Sequence, residues 1–287
     1  MKNAKIIIFI IVLAQFCCTS LWFATNAVLN ELILNFQLKE NSLEHLTSAV
    51  QFGFISGTLL FALFAIADRF SPSRVFFICA LLGAGINMAT ILDSNNFLSL
   101  MFIRFSSGFF LAGIYPVGMK IASDYRDKGL GKALGFLVGA LVLGTAFPHL
   151  LNGNIFKISW QNVIITTSFI AIIGGLLILV FVPNGPFRER NYKPTFSTVK
   201  IIHKNPQLRT AAFGYFGHMW ELYSFWAFVP IILTTYFSIH NSALHNNSLL
   251  SFIIIGIGGL ACVIGGFLAG KYGEKKVART ALLLSCC

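Results

Sequence analysis

The chain has 287 residues, of which 56% are hydrophobic and 11% charged. A soluble domain carries about 25% charged residues, so this chain lacks the polar groups to coat a water-facing surface. Its formal net charge of +11 would suit a nucleic-acid partner in a soluble protein, but the placement of that charge among the loops excludes the reading.

The first apolar run, Ile6 to Val28, follows Lys2 and Lys5. It is longer than the apolar core of a signal peptide, and Leu29-Asn30-Glu31-Leu32 is a poor cleavage site, so it reads as an uncleaved first span. It carries Gln15, Trp22 and Asn26. Trp22 and Asn26 lie one helical turn apart on a shared face, where an aromatic and an amide suit one wall of a polar cavity. An interfacial anchor near the outer surface is the other reading of Trp22.

The second run, Leu46 to Ala67, closes on Ala67-Asp68-Arg69-Phe70-Ser71-Pro72-Ser73-Arg74, and the third spans Val75 to Leu92. The fourth, Leu98 to Ala122, holds Arg104. A cation inside a span costs about 2.5–3.5 kcal/mol on insertion scales, so it must face a partner or water. Either it binds an anionic solute or takes part in ion coupling, or it forms a buried structural pair. Tyr115 and Pro116 follow in the same run, and Lys120 nearer its inner end reads as snorkelling to the cytoplasmic interface.

The fifth and sixth runs are Leu130 to Leu150 and Val163 to Val182. A basic loop with four prolines, Pro183 to Arg209, separates them from the rest and reads as a linker at the anionic inner leaflet. The seventh run, Thr210 to Phe237, holds Glu221 near its middle with His218 three residues earlier on the same face. A carboxylate in low dielectric favours its neutral form, which suits a proton carrier, and the pair forms a short relay. A carboxylate that locks two helices by hydrogen bonds, with His218 as an interior donor, is the competing reading. The eighth run is Leu249 to Ala269, and Val277 to Cys287 begins a ninth. Gly53 with Gly57 and Gly135 with Gly139 have the small-residue spacing of close helix contacts.

Continuous rather than alternating apolar runs are helices in lipid, where every backbone group must be satisfied within the segment. With the amino terminus inside, the inner loops collect almost all Lys and Arg, and the outer loops hold only Lys39 and Lys157. The basic balance is therefore a topology device. The six cysteines, Cys17, Cys18, Cys79, Cys262, Cys286 and Cys287, include no CxxC pair and read as small buried apolar residues. Neither a metal site nor a cofactor is expected. The terminal Cys286-Cys287 pair lies inside the ninth run or, alternatively, carries a lipid anchor.

The loop segment around Asp68 recurs as Gly266-Phe267-Leu268-Ala269-Gly270-Lys271-Tyr272-Gly273-Glu274-Lys275-Lys276. Asp68 and Gly270 occupy matching places, which gives a repeat of roughly 200 residues, the plan of a transporter built from parallel halves.

These residues resemble the major facilitator superfamily. Its loop signature, G-x-L-A-D-R-x-G-R-R, is matched around Asp68 and Arg69 with one extra loop residue and Phe64 at the leading glycine. Its fourth-span pattern, an arginine followed by glycine, is matched by Arg104 and Gly108. Three stretches are similar to a bacterial branch described as cyanate- or nitrate-permease-like: Ser20 to Ala27, Gly113 to Lys120, and Gly217 to Glu221 with Tyr223 and Trp226.

The resemblance implies an all-α membrane protein of the major-facilitator bundle type. It divides into a six-helix bundle over residues 1–182, a cytoplasmic linker over 183–209 and an incomplete second bundle over 210–287. The family has twelve spans, with the first, fourth, seventh and tenth lining the cavity. Trp22, Asn26, Arg104 and Tyr115 become the expected solute contacts, Glu221 and His218 the proton-coupling pair, and Asp68, Arg69 and Arg74 the gating loop. The repeat extrapolates to roughly another 100 residues. The sequence therefore reads as carboxy-terminally truncated, and the 287-residue chain is expected not to transport by itself.

The functional expectation is a secondary transporter of a small solute, an organic or inorganic anion, coupled to protons and working by alternating access. It is expected to be a monomer in the bacterial inner membrane with its amino terminus in the cytoplasm and no nucleic-acid partner. A non-transporting remnant is one alternative. A multidrug-type proton antiporter is another, although its fifth-span Gly-Pro is lacking, since Gly139 is followed by Ala140. An enzyme is not expected, because the spans carry no paired catalytic constellation.

Overall fold

The computed structural model describes residues 2–39, 41–126, 129–153, 158–188, 204–240 and 246–285. All regular structure among them is helical. In chain order the helices are α1 (Lys2–Thr19), α2 (Ala24–Ala27), α3 (Leu29–Phe36), α4 (Ser42–Leu63), α5 (Ile66–Arg69), α6 (Pro72–Met88), α7 (Phe97–Leu111), α8 (Tyr115–Asp124), α9 (Leu130–Leu151), α10 (Trp160–Phe181), α11 (Pro206–Ile239), α12 (Asn247–Tyr272) and α13 (Glu274–Ser285). Among the described residues, seven stretches are long and apolar enough to cross a membrane, and Ala4–Thr19 is a shorter apolar helix. The chain is a multi-pass membrane protein of the expected all-α class.

Two expected spans break well inside their length. The first stops at Thr19, where hydroxyls turn back on the helix that carries them. Thr19 Oγ1 donates to the Gln15 carbonyl at 2.8 Å and Ser20 Oγ to the Cys17 carbonyl at 2.7 Å. Such local bonds compete with the helical ladder. The chain crosses Ser20 to Phe23 in turns and resumes in α2 and α3, which leaves the Leu21 and Trp22 carbonyls free for partners elsewhere. The fourth span breaks between α7 and α8. Pro116 has no N–H to offer the Ala112 carbonyl, so the ladder lapses over Ala112 to Ile114 and restarts with Pro116 in the first turn of α8.

In the first half, α1 lies against α9 and α10, α6 against α10 and α7, and α4 against α7. The two glycine pairs singled out in the sequence seat two different contacts. Gly53 of α4 lies so close to the Phe105 carbonyl of α7 that a side chain there would collide with backbone, and Gly108 meets Val50 in the same way. Gly135 and Gly139 of α9 instead face α12: a Cβ on Gly139 would stand 2.8 Å from the Gly259 carbonyl. The first pair closes the interior of the first half, and the second joins that half to the second-half helix α12.

The segment after α10 is not free chain. Ser73 Oγ donates to the Val182 carbonyl at 2.6 Å, Tyr125 Oη to the Pro183 carbonyl at 2.5 Å and the Phe187 N–H to the Asp124 carbonyl at 3.0 Å. Arg188 Nη2 donates to the Asp68 and Phe70 carbonyls at 3.0 and 2.7 Å. The beginning of the expected linker thus straps together the ends of α5, α6 and α8. Its far boundary also differs: α11 starts at Pro206, with the Asn205 side chain accepting from the Gln207 and Leu208 N–H groups at 3.0 and 3.3 Å. Asn at the cap and Pro in the first turn are what start a helix. The middle of the linker, residues 189–203, and Cys286 and Cys287 lie outside the described residues.

The repeated loop signature builds two different turns. After α4 the chain takes a left-handed conformation at Ala65 (φ 49°) and a short helix before α6. After α12 the change of direction is made at Gly273 alone (φ 89°).

Candidate functional site

Arg104 is 1% exposed. Its guanidinium reaches the break in the first span: Nη2 donates to the Trp22 carbonyl at 2.6 Å and to Asn26 Oδ1 at 3.1 Å, and Nη1 to the Leu21 carbonyl at 3.4 Å. The carbonyls left open in the break between α1 and α2 are therefore met by a cation. Among the described residues no ion pair joins Arg104 to a carboxylate. Asn26 bridges onward, its Nδ2 donating to Thr47 Oγ1 of α4 at 2.8 Å. The structure thus brings Arg104, Trp22 and Asn26 into one cluster.

Trp22 is fully buried, so it is not an anchor at the outer surface. Its ring stacks on Tyr223 of α11, with centroids 5.3 Å apart and planes 22° apart, and touches Phe54 of α4 at 4.7 Å. Trp226 packs edge-on to Tyr223 at 5.5 Å and to Phe23 at 6.2 Å. Tyr115 is half-buried against the same core, with no hydrogen bond to Arg104, Trp22 or Asn26 among the described contacts.

Buried polar atoms with no hydrogen-bond partner among the described residues include Trp22 Nε1, Arg104 Nε and Ser107 Oγ and, elsewhere on α1 and α9, both amide atoms of Gln15 and His149 Nε2. Native interiors satisfy nearly all such groups, so these atoms have bonding capacity left for a polar partner, water included. Ser107 lies one turn from Arg104 on α7, and that periodicity was available to find it. His149, 2% exposed on α9, was also findable as an imidazole inside an apolar run.

Glu221 and His218 form a separate place. His218 Nδ1 stands 3.9 Å from Glu221 Oε2, and the two side chains are 41% and 50% exposed. Ser285 of α13 donates to Glu221 Oε1, a partner that sequence spacing did not suggest. Tyr223, two residues on, faces Trp22, so Glu221 sits on the other side of α11. No hydrogen bond or ion pair connects it with the Arg104 cluster among the described residues.

The third place is the end of the first half where α5 and α8 meet. Lys120 Nζ stands 2.8 Å from Asp68 Oδ1 and 3.8 Å from Asp124 Oδ1. Lys120 thus ties α8 to the Asp68 loop. Arg69 and Arg74 of that loop are exposed.

No curated protein matches this sequence. Among solved structures, the chain is similar to a bacterial homolog of the human lysosomal transporter Spinster, in an inward-facing and unoccupied conformation. The TM-score is 0.61 at 16% identity, over 95% of this chain and 64% of that one. At that identity the likeness shows the fold. The family model described as Major Facilitator Superfamily matches residues 11–287, and the chain belongs to that family.

Proposed function

We propose that this chain serves secondary active transport of a small anionic solute, coupled to protons, by alternating access between two bundles. The observation that supports it is Arg104: a fully buried guanidinium, held at a helix break, with no carboxylate partner among the described residues. A buried cation without a counter-charge is costly, and an anion that reaches it removes that cost. Trp22 and Asn26 hold Arg104 in place, and Tyr115 lies along the same core.

In this reading the unpartnered donors Arg104 Nε and Trp22 Nε1 receive the solute. Glu221 carries the proton, with His218 as its neighbour. The Asp68 loop, with Arg69 and Arg74, gates the cytoplasmic end, and opening there breaks the Asp68–Lys120 pair. The protein works as a monomer in a bacterial inner membrane with its amino terminus inside. The branch resembling cyanate and nitrate permeases belongs to the same reading.

The test is equilibrium binding of monovalent anions and matched neutral amides to the detergent-purified chain. Anions are expected to bind more tightly than the amides. Arg104→Lys, which keeps the charge and loses the planar fork, is expected to weaken anion binding while membrane insertion is unchanged. Equal affinity for anions and amides, or unchanged anion affinity in Arg104→Lys, overturns the reading.

A further inference from the structure

We infer that the anion taken by this site carries a planar apolar ring, so that the solute is an aromatic carboxylate rather than a small inorganic oxyanion; the inference rests on the anionic reading above. The cluster around Arg104 has one charge and a wall of rings. Trp22 supplies the carbonyl that receives Arg104 Nη2 at 2.6 Å, and its own indole is stacked on Tyr223 at 5.3 Å and packed on Phe54 at 4.7 Å. Trp226 and Phe23 extend the wall.

Three classes of solute meet this arrangement differently. An aromatic wall by itself suits a cation, because ring faces are electron-rich. The buried guanidinium beside Trp22 repels a cation, which removes that class. An inorganic oxyanion satisfies the guanidinium, but the ring faces repel its charge and it gives them nothing to pack on. An aromatic carboxylate satisfies both. Its charge meets the unpartnered donors, Arg104 Nε and Trp22 Nε1, and its ring stacks on an indole or phenol face.

The Trp22–Tyr223 stack also says how the ring enters. It joins the break of the first span to α11, which belongs to the second half. When the halves rock apart, Tyr223 leaves the Trp22 face, and a flat ring of the solute takes its place. In the present conformation Trp22 is fully buried and Tyr223 half-buried. Gating and recognition are thereby carried by the same ring pair.

The test uses the full chain purified in detergent, with benzoate, cyclohexanecarboxylate, acetate, nitrate and benzamide as calorimetric probes. Benzoate is expected to bind about tenfold or more tightly than acetate or nitrate. Trp22→Leu is expected to reduce that ratio to about twofold or less, and Trp22→Phe, which keeps a ring, to preserve most of it. Acetate or nitrate binding as tightly as benzoate overturns this inference and leaves the anionic reading standing. So does cyclohexanecarboxylate matching benzoate, or a ratio unmoved by Trp22→Leu. Benzamide matching benzoate overturns the anionic reading itself, while the preference for a ring survives.

Discussion

Arg104 and Glu221 look alike in the sequence, each a charge deep inside an apolar run, and the fold treats them in opposite ways. Arg104 is 1% exposed and gives hydrogen bonds to two backbone carbonyls and an amide. The Glu221 side chain is 50% exposed, and its described partners are a serine hydroxyl on α13 and a histidine one turn away. The first belongs to the span Phe97–Asp124, of whose most apolar window 56% is buried. The corresponding windows of α11 and α12 are only 17% buried. A charge in a span is costly wherever it sits, but only neighbouring helices decide whether partners or open space meet it. Arg104 is therefore both a structural group and a candidate binding group, whereas Glu221 ties down little of the fold.

That contrast can be broken by substitution. The largest effect is expected at Arg104. Arg104→Gln removes the cap on the Leu21 and Trp22 carbonyls and the buried charge together. It should cost on the order of 2–3 kcal/mol in stability and abolish anion binding, read by denaturant unfolding in detergent and by calorimetry. A variant that unfolds at the wild-type denaturant concentration would show that the helix break holds without its clasp.

Next comes the contact that joins the halves. Gly139→Leu drives a side chain into the Gly259 carbonyl region and should separate α9 from α12. Overpacking of this kind costs about 1–3 kcal/mol. A cysteine pair placed across α9 and α12 should lose its cross-linking in this background, and retained cross-linking would mean the helices slide rather than part. The first half should keep its protease resistance, because its own helix contacts are untouched.

Glu221→Gln should be milder still. With an exposed carboxylate, the variant should unfold within about 0.5 kcal/mol of wild type, the usual range for surface changes. If Glu221 carries the coupled proton, the variant should lose the pH dependence of anion binding. A large stability loss with an unchanged pH profile would make Glu221 a helix lock instead. The smallest effect is a gain: Ala65→Gly relieves a left-handed residue (φ 49°) in the turn before Asp68 and should stabilise by up to about 1 kcal/mol, visible as a small rise in Tm. No gain would mean that packing around the buried Ala65 methyl offsets the strain.

Much of the chain was legible from its sequence. Long apolar runs can satisfy their backbone in lipid only as helices, so the spans from the second through the eighth lie where hydropathy put them. The two glycine pairs marked real helix contacts, because only a missing side chain lets backbones approach so closely. The repeat and the Asp68 signature pointed to the family to which the chain belongs. Three matters were decided by tertiary structure alone. Periodicity does not register a break such as Ser20 to Phe23, because the residues stay apolar while the ladder is diverted by hydroxyls and finished by Arg104 from another helix. The loop after α10 reads as linker by composition, yet its carbonyls and N–H groups find partners on three other elements. The seventh span places Tyr223 and Glu221 two residues apart, and only the position of the Ser20 to Phe23 break beside it turns the first into the partner of Trp22, while the second meets α13. Which residues are apolar and which are charged can be read one position at a time, since that is a property of each side chain alone. Who meets whom across the bundle depends on distances between segments that are remote in the chain.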